Sequence, residues 1–246
     1  MICTTLRFYG DLNPLLFKKP EGKTLHRNLS APTSAKDLIE GAGIPHTEVD
    51  LILVNGKRTD FSYLPQDGDH FSIYPVFSTL TIPDEQRLQP AQLSKPRFLA
   101  DVNLGKLARY LRIAGFDTAY SNAANDDELI EQMQNEHKTL LTRDRKLLMR
   151  KVVQFGYLPR SDDPVKQLEE VLRRFQLTER IKLFTRCPRC NGLLQSVAKE
   201  QIMDRLEPLT KKHYNHFSQC PDCGQVYWPG SHRNRLKEKF QKILKS

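Results

Sequence analysis

This chain lacks the features that would put it in a membrane or in an oxidising compartment. Among its 246 residues no apolar run approaches the ~20 residues that span a bilayer. Met1-Ile2-Cys3-Thr4 has none of the basic-then-apolar plan of a secretion signal. A cytoplasmic protein with no membrane partner is expected. Cysteine is scarce, five in all, and four of them fall in two C-x-x-C pairs, a spacing that suits metal ligation better than a disulfide framework. Cys3 is left over and is expected to be a buried thiol. No internal repeat and no low-complexity tract is present, and the length suits two domains or two with a small appendage.

The net charge of +9 is unevenly placed. Residues 1–80 are close to neutral, whereas residues 181–246 carry 13 basic against 5 acidic side chains, a surplus of +8. A basic end favours a polyanionic partner, nucleic acid before membrane, although solvated lysines without a partner would look the same.

The first eighty residues read as an α+β unit. Thr4–Tyr9 and Lys23–His26 are strand-like, Ser34–Ala42 is helical with a start signal at Thr33-Ser34, and Leu51–Val54 and His70–Tyr74 are strands. Asn55-Gly56 is a hairpin turn. Two strands, a helix and further strands follow the order of a ubiquitin-like β-grasp. Through Val54-Asn55-Gly56 and Gly68–Pro75 the segment resembles the sulfur-carrier branch of that fold. Carriers in that branch end in a free Gly-Gly. Here the corresponding stretch is Val76-Phe77-Ser78-Thr79-Leu80 and the chain continues, so an interaction or positioning module, with a possible protein partner, is expected instead. Residues 81–96 are polar, carry three prolines and show no apolar period, which makes them a linker.

Strand and helix then alternate, as in a parallel sheet covered by helices. Phe98–Ala100 is a short strand, and Leu104, Leu107, Ala108, Leu111 and Ala114 give the next helix its apolar stripe before Gly115 stops it. Asp117–Tyr120 is a brief strand, and Asn125-Asp126-Asp127-Glu128 has capping-box form. Thr139–Thr142 is a strand, a helix starts at Arg145, a strand is expected near Val152–Phe155, and Asp163-Pro164 opens another helix. Three apolar runs end in aspartate: Phe98–Asp101, Leu140–Asp144 and Tyr157–Asp163. Carboxyl ends of parallel strands converge on one crevice. Converging carboxylates bind hard divalent cations, and such ions drive phosphodiester hydrolysis in many nucleases. Asp101, Asp126, Asp127, Asp144, Asp162 and Asp163 are therefore candidate ligands. Each taken alone is better explained as a helix cap or as compensation of a helix dipole; it is the joint pattern that points to ligation.

These segments carry a resemblance. Phe98–Asp117, Asp126–Leu129, Leu141–Arg145, Ser161–Pro164, Gln167-Leu168, the cysteine pairs and Val226–His232 resemble, in order, the PIN-like ribonuclease domain of the Mut-7 C-terminal RNase family, whose bacterial members also carry an N-terminal ubiquitin-like domain. The resemblance implies an α/β PIN-like domain with a parallel sheet beside the α+β β-grasp domain, and acids that hold Mg²⁺ or Mn²⁺ for RNA hydrolysis. Asp101 and Asp144 are the surest ligands carried over, one or both of Asp126 and Asp127 come next, and Asp162 or Asp163 is the weakest. The arginines Arg109, Arg112, Arg143 and Arg145 flank the acids as phosphate contacts, or else are surface and acid-pairing residues. A non-catalytic RNA-binding or protein-interaction adaptor on a degenerate PIN-like fold is the alternative.

Cys187-Pro188-Arg189-Cys190 and Cys220-Pro221-Asp222-Cys223 read as the two knuckles of a zinc ribbon with a closed, structural site. A hairpin or helix around Glu200–Leu206 is expected between them. Tyr214, Phe217, Tyr227 and Trp228 would either stack on unpaired bases or form the small core beside the zinc, while His213, His216 and His232 would pack or meet phosphate. Residues 233–246 place Leu236, Phe240, Ile243 and Leu244 on one helical face and Arg233, Arg235, Lys237, Lys239, Lys242 and Lys245 around the rest, a basic amphipathic helix suited to an RNA backbone or to solubility. The expected organisation is a β-grasp domain at 1–80, the linker, a nuclease domain at 97–180, the ribbon at 181–232 and this helix, with single-stranded RNA as the partner.

Overall fold

The computed structural model describes residues 1–18, 22–76, 83, 87–89 and 96–243. Phe77–Leu80, most of the linker, and Leu244 and Lys245 of the terminal helix lie outside the described residues, as do the side chains of His232 and Lys242. The chain divides into two compact units, one formed by residues 1–103 and 122–160, the other by 104–121 and 161–246. Among the described residues no helix is long and apolar enough to cross a membrane.

In the first unit, strands β1 (Ile2–Phe8), β2 (Leu25–Leu29), β3 (Val49–Val54), β4 (Lys57–Thr59) and β5 (His70–Pro75) form a sheet in the order β2-β1-β5-β3-β4. β1 and β5 are parallel and the other pairs antiparallel, the arrangement of a β-grasp. Helix α1 (Ala35–Glu40) is capped by Ser34, whose side chain accepts from the Asp37 amide. Leu6, Ile39, Ile52 and Ile73 fill the core. β1 alternates, with Thr4, Leu6 and Phe8 inward and Cys3 outward. Cys3 is therefore exposed, which corrects the expectation of a buried thiol; strand parity decides its face.

The same unit holds β6 (Arg97–Ala100), β8 (Thr139–Leu141) and β9 (Gly156–Tyr157), parallel and in that order. Helix α3 (Asp126–Glu136) begins with a complete capping box between Asn125 and Glu128, and α4 (Arg145–Leu148) is capped by Asp144. The strand expected at Val152–Phe155 is instead β9, one turn later, because Val152 is exposed in the turn before it and Val153 alone of the pair is buried. The β-grasp sheet is fastened to this part by buried polar contacts. His46 Nε2 lies 2.8 Å from the Val153 carbonyl, and its Nδ1 lies 2.7 Å from Glu40. Glu48, 3% exposed, accepts from the Leu158 amide at 2.8 Å and from Arg160 at 2.5 Å. Within the linker stretch, Gln89 donates to the His46 and Val49 carbonyls and its amide donates to the fully buried Asp50.

The second unit contains α2 (Gly105–Ile113), β7 (Asp117–Tyr120), α5 (Pro164–Arg174, started by Asp163 with proline at its first position), the antiparallel sheet β10 (Gln195–Val197), β11 (Phe217–Gln219), β12 (Val226–Tyr227), a 3₁₀ turn at Lys199–Arg205, α6 (Pro208–His213) and α7 (Ser231–Ile243). α2 packs on α5. Gly115 ends α2 at φ +96, where a β-carbon would also press on the Lys182 carbonyl, so glycine answers both demands.

Candidate functional site

Asp101 follows the last residue of β6 and is 7% exposed. Its amide donates to the Leu141 carbonyl, Oδ1 accepts from the Val102 amide at 2.5 Å, and Oδ2 accepts from the Thr142 hydroxyl at 2.6 Å. The same Thr142 oxygen accepts from the Asp144 amide at 2.9 Å. One buried hydroxyl thus ties together the aspartates that follow two neighbouring parallel strands. Asp144 is exposed; its Oδ1 caps α4 through the Lys146 and Leu147 amides at 2.7 and 3.3 Å. The cap role is therefore real for Asp144, and it spends one of two carboxylate oxygens.

Asp126 and Asp127 stand exposed at the start of α3. Arg150 pairs with both, at 3.6 Å to Asp126 Oδ2 and 2.5 Å to Asp127 Oδ1. Its guanidinium is raised above its ordinary value first by the hydrogen bond to Asp127, with Asp126 and Asp144 adding their charge. Arg150 thus faces three of the candidate acids. Among the described residues no three carboxylates come close enough to share one ion as the structure stands. Asp162 and Asp163 belong to the second unit, where Asp163 Oδ1 caps α5 through the Val165 amide at 2.8 Å.

The flanking arginines separate by role. Arg145 gives Nη1 to the Leu15 and Gly43 carbonyls and lies over the Phe17 ring, which binds it to the β-grasp sheet. Arg112 is 6% exposed and donates to the carbonyls of Thr118, Pro188 and Arg189. Burial lowers its pKa, opposed by the charges of Cys190 and Cys187. It braces the first cysteine turn from beneath. Arg143 and Arg109 are exposed.

The four ribbon cysteines converge. Their sulfurs all lie within 4.8 Å of one another, with Cys187 to Cys223 at 3.6 Å and Cys190 to Cys220 at 3.3 Å. Tetrahedral zinc with Zn–S bonds of ~2.3 Å needs sulfurs roughly 3.8 Å apart, so the cluster could bind zinc with small adjustments. The knuckles repeat each other: the Cys187 amide donates to the Gly192 carbonyl and the Cys220 amide to Gln225. At Gly192 a β-carbon would stand 2.8 Å from the Cys220 sulfur, so the second knuckle needs glycine there. Burial pushes the Cys187 thiol up, but hydrogen bonds from Tyr227 and two backbone amides bring it down to about 7; burial drives Cys190 up to about 12. Ile202, Leu206, Phe217 and Val226 form a small core, with Tyr214 and Trp228 packed against it.

Residues 96–240, more than half of the chain, match the family model described as Mut7-C RNAse domain. The chain belongs to that family. Residues 1–81 match a second model, described as Mut7-C ubiquitin. No curated protein matches. Solved structures similar to this Mut7-C chain include small archaeal modifier protein 1 of H. volcanii, at 14% identity over 31% of this chain and 100% of that one. They also include a putative molybdopterin converting factor subunit 1 from Pyrococcus furiosus, at 15% over 31% and 100%, and Urm1 from Trypanosoma brucei, at 17% over 30% and 92%. Each has a TM-score of 0.25.

Sequence reasoning about this Mut7-C chain missed Thr142 and Arg150. Thr142 lies between two named motif residues, but a threonine at a strand end is ordinary. Nothing in the spacing connects Arg150 with Asp126, because the contact closes only when α4 folds back toward the start of α3.

Proposed function

We propose that this Mut7-C protein is a metal-dependent ribonuclease whose active site is built on Asp101 and Asp144, completed by Asp126 and Asp127. The observation that carries the reading is the shared Thr142 hydroxyl, which fixes two carboxylate-bearing residues at the ends of adjacent parallel strands. The donor set fits Mg²⁺ or Mn²⁺: hard oxygens, one nearly buried acid and one exposed acid with a carboxylate oxygen to spare. Mg²⁺ uses one or two protein carboxylates and takes its other ligands from water and substrate phosphate, so a closed cage of acids is not required. A divalent ion held there supplies charge stabilisation for the transition state and a nucleophilic water at neutral pH.

The protein's own contributions follow from its contacts. Thr142 and the Val102 amide hold the Asp101 carboxylate in one rotamer, and the α4 cap does the same for Asp144. Arg150 balances Asp126 and Asp127 and can turn toward a phosphate when RNA arrives. Arg143, beside Asp144, is a further phosphate contact. Arg112 and Arg145 are spent on backbone carbonyls and take no part. Asp162 and Asp163 are the weakest members; the cap role explains Asp163. The cysteine cluster holds zinc as a structural ion, since four thiolates leave no open position.

The test is cleavage of end-labelled single-stranded RNA by the full chain in Mn²⁺. Wild type gives products, and Asp101→Asn and Asp144→Asn each give none above background while keeping the wild-type melting temperature within a few degrees. Cleavage by both variants at the wild-type rate would sink the assignment. Salt-sensitive RNA binding by a wild type that does not cleave would mark the adaptor instead.

A further inference from the structure

The second unit carries a half-open cavity of about 610 Å³, within the size range of small-molecule sites. Its lining includes Arg109 from α2, Phe184, Arg189 from the first cysteine knuckle, Tyr227 and Trp228 at the end of β12, and Arg233 from α7. Four arginines and no acidic side chain line it. Two of the four are engaged: Arg186 donates to the Asn191 carbonyl at 2.9 Å and lies 3.9 Å from Asp117, and Arg233 lies over the Phe184 ring at 4.4 Å. Arg109 and Arg189 are exposed and, among the described residues, their guanidinium groups have no partner.

The aromatic part is held open by packing. Trp228 is half-buried, tilted at 55° against Phe217 on one side, and its indole edge runs along Gly230, where a β-carbon would come within 3.0 Å of Nε1. Tyr227 is fixed by its hydroxyl, 3.0 Å from the Cys187 sulfur. A flat apolar floor with unpaired cations beside it suits a ligand that is planar at one end and anionic at the other. An acidic peptide would satisfy the arginines and leave the floor bare. The exposed Arg235, Lys237 and Lys239 on α7 extend the positive surface away from the cavity, as a chain of phosphates requires.

We infer that this cavity is a nucleotide-binding subsite for single-stranded RNA, in which Trp228 and Tyr227 take an unpaired base and Arg109 and Arg189 take the neighbouring phosphates. The choice of RNA among polyanions rests on the ribonuclease reading; the cavity and its charge do not. It is a holding site that contains none of the acids, and its binding does not depend on their chemistry.

Trp228 is the single tryptophan of the chain, so the chain's tryptophan fluorescence comes from the wall of this cavity and the small core behind it. The probe is a short 2′-O-methyl oligouridylate, which resists hydrolysis, titrated into the zinc-loaded full chain. Saturable quenching is expected. In the variant Arg109→Gln/Arg189→Gln, affinity falls, and the slope of log affinity against log salt drops by about 0.7 for each arginine removed. No quenching, an unchanged slope in the double variant, or equal quenching by polyglutamate would overturn the inference. RNA cleavage in Mn²⁺ by a wild type whose Trp228 never responds would remove the subsite and leave the nuclease standing. A saturable response, lost with the two arginines, in a protein that never cleaves would keep the subsite and remove the nuclease.

Discussion

Thr142 has one oxygen and two obligations, to the Asp101 carboxylate and to the Asp144 amide. Valine has the same shape without the oxygen, so Thr142→Val leaves a nearly buried carboxylate short of a donor. Removing a hydrogen bond to a charged group costs about 2 kcal/mol. We expect that loss in urea denaturation, together with a fall in Mn²⁺-dependent cleavage of about tenfold or more as Asp101 gains rotamer freedom; unchanged cleavage would show that Thr142 serves stability alone. Glu136 illustrates a different electrostatic effect. Hydrogen bonds from Lys138 and Gln132 hold its carboxyl below the ordinary 4.5. A lowered folded-state pKa gives stability that is present above the unfolded value and lost as pH falls through the folded one. The stability difference between wild type and Glu136→Gln should therefore shrink as the pH is taken from 7 to about 3, which paired urea titrations would measure.

Among the elements, the cysteine knuckles and the cavity wall are one construction. Arg189 belongs to the first C-x-x-C turn, Arg112 holds that turn by two carbonyls, and Tyr227 reaches from the cavity to Cys187. Cys190→Ser should lower the zinc content from one ion per chain toward zero and drop the melting temperature. It should also shift the Trp228 emission to the red as the small core beside it opens; metal analysis with fluorescence during heating would read all three. Much of this was legible beforehand. The C-x-x-C spacings, the capping box at Asn125 and the Asp163-Pro164 start each follow from local backbone rules, and each stands where those rules put it. The hairpin or helix expected around Glu200–Leu206 is a 3₁₀ helix at Lys199–Arg205, followed by α6. What stayed hidden was long-range. Arg112 has the look of a surface cation on a helix until Thr118, Pro188 and Arg189 close over it. Glu48 and His46 give no hint, in a sequence of mixed polarity, that both are buried against the segments that flank β9, more than a hundred residues away.

At the scale of the whole molecule, those buried contacts make the β-grasp sheet a structural part of the first unit. Glu48 is almost fully buried, and its partners are Arg160 and the Leu158 amide. Breaking such a pair from one side costs about 3 kcal/mol or more, so Glu48→Gln should destabilise the unit that carries the acids, seen as an earlier unfolding transition and as faster amide exchange at β9. A β-grasp domain that unfolds independently would leave β9 exchange unchanged. Neither unit is a continuous piece of chain, for residues 104–121 leave the first to join the second, and 122–160 return to the first. During synthesis the acid-bearing strands and the β-grasp sheet can therefore assemble as soon as residue 160 has left the ribosome. Leu107 and Leu111 of α2, fully buried in the finished protein, meet α5 only afterwards. A nascent chain paused at that point displays a greasy helix that has β7 but still lacks α5, and it is there, rather than at either terminus, that a chaperone would find its grip.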